Sequence, residues 1–85
     1  MPVDSPRPIR IRFFAMLREQ AGRSSLELTT TAATPAELYR ELQASHQLSF
    51  NPELLRVAVN ERYVAMDTPL QAGDQVVFIP PVAGG

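Results

Sequence analysis

Residues Ile9-Arg10-Ile11-Arg12-Phe13-Phe14-Ala15 alternate apolar and charged side chains. A period of two predicts a half-buried strand. Ile9, Ile11 and Phe13 then share one face, and Arg10, Arg12 and Phe14 the other. Phe14 is the misfit, an aromatic where the pattern asks for a polar residue. Ala15 to Ala21 reads as a short helical or irregular link that Gly22 stops. Ser24 to Thr30 alternates again with Leu26 and Leu28 inward, and is expected to pair with the first strand in a hairpin-like unit. Thr34-Pro35-Ala36-Glu37 opens a helix: Thr34 caps it, Pro35 is tolerated at the first position and Glu37 completes a capping box. Leu38, Tyr39, Leu42 and His46 recur at spacings of three and four, and the helix is expected to end near Gln47. Asn51 caps a second, brief helical turn over Pro52-Glu53-Leu54.

Arg56 to Asn60 predicts a strand, and Asn60-Glu61 a tight turn into Arg62-Tyr63-Val64-Ala65. Thr68-Pro69 and Ala72-Gly73-Asp74 are turn signals. Gln75-Val76-Val77-Phe78-Ile79 is rich in valine and isoleucine, as expected of a central, well-covered strand. Pro80-Pro81 ends strand pairing because neither residue has an N–H to donate. The order of elements shows no repeat. It predicts an α+β fold, a ubiquitin-like β-grasp with one main helix on one face of a mixed four- to five-stranded sheet. Residues 1–8, with three prolines, read as a flexible N-terminal tail. Residues 9–79 form the domain, and 80–85 a flexible C-terminal tail ending in Gly-Gly.

Composition narrows the chemistry. The chain has 85 residues, enough for one small domain. With no cysteine there is no disulfide, thiolate metal site or nucleophilic thiol. His46 is the single histidine, so no metal site is expected, and a packed or surface position explains it. A net charge of −1 gives no basic footprint for nucleic acid. No apolar run approaches the roughly 20 residues that cross a bilayer, so no membrane partner is expected. Residues 1–8 lack the apolar core of a secretion signal, which makes a cytoplasmic location the expectation. All eight basic residues are arginine, leaving no side-chain amine to act as Schiff base or as isopeptide acceptor. Glu61, Asp67 and Asp74 read as turn carboxylates rather than acid/base groups.

The C-terminal segment is the chemical candidate. An apolar strand fixes the origin of the tail, Pro80-Pro81 stiffens its exit, and Gly84-Gly85 lack side chains, so the backbone can thread a narrow slot. The one handle there is the α-carboxylate of Gly85. A carboxylate is a poor acyl donor and must first be activated, most simply as a mixed anhydride with AMP. It can then accept sulfur as a thiocarboxylate or be passed to an amine.

Residues Ile11-Arg12-Phe13-Phe14-Ala15, Leu17-Arg18-Glu19, Gly22, Ala58-Val59-Asn60, Pro69-Leu70, Gly73-Asp74, Val76 and Phe78-Ile79-Pro80-Pro81-Val82-Ala83-Gly84-Gly85 resemble the small subunits of molybdopterin synthase, β-grasp sulfur carriers. The resemblance spans about residues 9 to 85. It implies that an ATP-dependent activating enzyme adenylates Gly85, that a sulfur donor converts it to a thiocarboxylate, and that the loaded tail enters the large synthase subunit. There the sulfur goes to a cyclic pyranopterin precursor. The chain is then a cosubstrate with no bound cofactor, in an implied heterotetramer whose catalytic side chains lie on the large subunit. The strand arithmetic adds a docking face. If Phe13, Val57, Val59, Val64, Val76 and Phe78 face the helix, Phe14, Tyr63, Val77 and Ile79 face away, where a partner, the 48–55 loop or the N-terminal tail must cover them. By the resemblance Phe14, Tyr63 and Ile79 contact the partner, as do residues 80 to 84 of the tail (Pro80, Pro81, Val82, Ala83, Gly84). Arg10 and Arg12 lie on the same face as rim or solvated groups. Sulfur carriers for thiamine or cysteine synthesis, a ubiquitin-like protein modifier and a plain interaction domain are the alternatives.

Overall fold

In this computed structural model, residues 6–46 and 48–81 are described. The elements are β1 (Arg7–Phe13), α1 (Ala15–Ala21), β2 (Ser25–Thr30), α2 (Pro35–His46), a 3-10 turn (Pro52–Leu54), β3 (Arg56–Val59), β4 (Arg62–Val64) and β5 (Gln75–Ile79). They build one five-stranded sheet in the order β2-β1-β5-β3-β4. β1 runs parallel to β5, and the other neighbours are antiparallel. This is the β-grasp arrangement that the alternation predicts, with β5 at the centre.

β1 begins at Arg7, two residues before the alternation starts. Pro8 brings no N–H to the ladder, but its carbonyl accepts from the Gly73 N–H at 2.8 Å. The Arg7 guanidinium donates to the Leu70 carbonyl at 2.6 Å. β1 and β2 pair over six positions, from Arg7 opposite Thr30 to Arg12 opposite Ser25. Between them α1 replaces a tight hairpin turn, and Gly22 ends it at φ 76, a left-handed conformation that glycine adopts without strain.

Ile9, Ile11, Phe13, Val57, Val76 and Phe78 bury their side chains against Leu38, Tyr39 and Leu42 of α2, with Leu17 of α1 in the same core. Truncating one such leucine to alanine costs about 2–5 kcal/mol. Thr34 caps α2 by accepting from the Glu37 N–H at 3.3 Å. The Glu37 carboxylate reaches back to the Ala33 N–H at 3.0 Å, one residue beyond the expected capping-box partner. Asn51 caps the 3-10 turn through the Glu53 N–H at 2.9 Å. His46 is half-buried, its ring 6.5 Å from that of Phe13.

The loop from Leu48 to Leu55 lies against the helices. Gln20 of α1 donates to the Ser49 hydroxyl and accepts from the Ser49 N–H. Gln43 of α2 donates to the Leu48 and Phe50 carbonyls. Leu48 and Leu55 are buried in the core. This anchoring commits the loop to the helical side of the sheet.

Candidate functional site

β5 delivers the tail. It is hydrogen-bonded on both sides, with Phe13 opposite Phe78 on β1 and Arg56 opposite Ile79 on β3. Ile79 is half-buried, Pro80 is buried and Pro81 is exposed. Pro80, which the sequence placed in the tail, therefore belongs to the packed body. Val82, Ala83, Gly84 and Gly85 lie outside the described residues.

The second face of the sheet follows from strand parity. One row crosses it from Arg12 on β1 through Val77 on β5 and Ala58 on β3 to Tyr63 on β4. Tyr63 is 73% exposed, while Val77 is half-buried. Phe14 follows β1 with extended backbone, φ −116 and ψ 144. The alternation thus continues one residue past the strand and turns its ring outward, 48% exposed. The expected set Phe14, Tyr63, Val77 and Ile79 does point away from the helix, although the two β5 members are partly sheltered between neighbouring strands. At the β3–β4 edge of the sheet a groove of about 470 Å³ is walled by Leu54, Arg56, Val57, Tyr63, Val64 and Met66, side chains of both faces.

Charge on this face is uneven. Arg10 donates through Nε and Nη2 to the Glu27 carboxylate at 3.0 and 2.7 Å, the one ion pair among the described residues. Arg12 and Arg56 are exposed, and neither has such a partner among the described residues. Arg56 escaped the sequence reading, although its parity with Ala58 would have placed it here.

Glu61 and Asp67 lie in turns, and Asp74 braces one. Asp74 accepts from the Asn60 side chain at 2.9 Å and from the Gln71 N–H at 2.8 Å. Asn60 in turn accepts from the Gln75 N–H at 3.0 Å. Asn60 and Glu61 have φ of 53 and 70, as a two-residue type I′ hairpin requires. Among the described residues no cluster of His, Asp or Glu can hold a metal ion, and no helix is long and apolar enough to cross a membrane. Burial raises the phenol pKa of Tyr39 above its ordinary 10.0.

The fold and its open sheet face define a ubiquitin-like β-grasp protein. The ThiS family model matches residues 11–85, and the chain belongs to that family. It is 36% identical over 80 residues to the molybdopterin synthase sulfur carrier subunit of Escherichia coli, covering 91% of this chain and 99% of that one. A solution structure of a Haloferax volcanii protein superposes with a TM-score of 0.79 at 32% identity, covering 94% of this chain and 88% of that one. The complex of subunits 1 and 2 of molybdopterin-converting factor from Helicobacter pylori contains a chain that matches with a TM-score of 0.63 at 26% identity, covering 92% of this chain and 99% of that one.

Proposed function

We propose that this chain is the sulfur carrier subunit of a molybdopterin synthase. The observation that carries the reading is the near full-length likeness to the Escherichia coli sulfur carrier subunit. It is supported by a central strand that leads directly into the Pro-Pro-x-x-Gly-Gly segment. The Gly85 carboxylate attacks the α-phosphate of ATP on an activating enzyme, forming an acyl adenylate and releasing pyrophosphate. A sulfide equivalent from the donor then displaces AMP and leaves a thiocarboxylate. The loaded tail enters the large subunit, where its sulfur passes to the pyranopterin precursor. This chain contributes reach and docking, and the acid/base groups belong to the large subunit. A heterotetramer and a cytoplasmic location go with this reading.

Intact-mass measurement after incubation with the activating enzyme, ATP and a sulfur donor tests it. The expected product has one oxygen replaced by sulfur at the terminus. A variant carrying one extra residue after Gly85 is expected to stay unloaded, because its carboxylate has moved. Stable pairing only with a thiazole synthase or a cysteine synthase, and not with a molybdopterin synthase large subunit, refutes the assignment of pathway.

A further inference from the structure

Arg12 and Arg56 flank the tail-bearing strand on the open face. Arg12 is the cross-strand neighbour of Val77, and Arg56 of Ile79. They stand on the two strands adjacent to β5 and are offset by two residues along it, which places their backbones roughly 12 Å apart. The apolar row of Val77, Ala58 and Tyr63 lies between and beside them. Arg10 is set apart from the pair, since Glu27 already neutralises it.

The distribution of charge is unusual for this chain. Strand parity puts three arginines (10, 12 and 56) and one glutamate (27) on the open face, while the whole chain carries −1. Negative charge is therefore concentrated elsewhere, and the face that holds the exposed apolar residues is cationic. Arginine suits such a position. Its stem covers apolar neighbours, and its planar, weakly hydrated fork fits a carboxylate. Binding to a phosphate backbone relies on many neutralised phosphates, and two guanidinium groups around an apolar centre do not supply that. The arrangement fits a protein surface that is apolar in the middle and acidic at the rim.

We infer that Arg12 and Arg56 select the large subunit by pairing with carboxylates that border its apolar docking patch. The inference rests on the sulfur-carrier reading and adds the chemistry of the partner surface. Complementary charge of this kind accelerates encounter and is weakened by salt.

The test is the association rate of the full chain with the large subunit of its own organism, measured across a range of ionic strengths. Wild type is expected to slow steeply as salt rises. The R12Q/R56Q double variant is expected to associate about tenfold more slowly at low salt, with a shallow salt dependence. Unchanged thermal unfolding checks that it is folded. If the double variant matches wild type in rate and salt slope while Tyr63→Asp still prevents pairing, the inference is overturned and the carrier reading stands. If wild type forms no complex with the large subunit, both are overturned. If the double substitution abolishes binding to a random-sequence RNA but leaves pairing with the large subunit unchanged, the cationic face serves another ligand and the inference is again overturned.

Discussion

Tyr39 and Phe78 meet across the core with ring centroids 5.2 Å apart and planes tilted by 58°. The Tyr39 hydroxyl also donates to the Phe50 carbonyl at 3.0 Å. One side chain of α2 thus ties the central strand to the 48–55 loop.

Tyr39→Phe keeps the ring contact and removes that hydrogen bond. A loss of about 1 kcal/mol is expected in denaturant unfolding, because Gln43 still donates to the same carbonyl. The pH dependence is the sharper test. With the folded-state pKa raised by burial, the contribution of Tyr39 is fully present below its unfolded value of about 10 and is lost as pH rises through the folded value. Stability is expected to fall as pH rises above about 10 in wild type, with a smaller fall in Tyr39→Phe.

Glu61 occupies a left-handed position at φ 70. Such a conformation costs a residue with a Cβ roughly 1–2 kcal/mol, and Asn-Gly is the favoured pair for this turn. Glu61→Gly is expected to stabilise the protein by about 0.5 kcal/mol or more, the relief exceeding the added flexibility of the unfolded chain. Asn60→Ala is expected to destabilise by about 1–2 kcal/mol, since Asp74 and the Gln75 N–H both lose a partner. Paired urea titrations resolve the opposite signs.

Ala15 turns the chain from β1 into α1 with φ 51. A β-branched side chain is a severe misfit there. Ala15→Val is expected to lower the melting temperature markedly, whereas Ala15→Gly leaves it nearly unchanged or raised. A valine variant as stable as wild type contradicts a left-handed Ala15.

Tyr63 projects from the edge strand β4, 73% exposed. Tyr63→Asp is expected to leave unfolding within about 0.5 kcal/mol of wild type and to weaken pairing with the large subunit by at least about tenfold, as loss of an aromatic anchor does. Calorimetric titration beside a melting curve separates the two effects.

Much of this was legible in the residues. Two-residue alternation put Ile9, Ile11 and Phe13 in the core, and the Asn60-Glu61 turn was evident from its composition. The outward turn of Phe14 could also be read, because the extended backbone continues one residue past β1. Other features depend on pairings that no local pattern encodes. Pro80 looks like the start of a tail, yet it is buried. Arg7 and Pro8 look like tail residues, yet Thr30, Thr29 and Gly73 hold them in the sheet. That Arg10 is neutralised while Arg12 is not depends on Glu27 lying opposite Arg10 across the β1–β2 ladder. The alternation gives each arginine its face but not its partner.

β5 follows every other strand in the chain yet fills the slot between β1 and β3. A polypeptide still emerging from the ribosome lacks the middle rib that joins the two halves of the sheet. Val77 and Ile79 take their places only when that rib slides home. Unfinished copies therefore lack the intact open face on which the proposed docking depends, and gain it only once synthesis has passed the last rib.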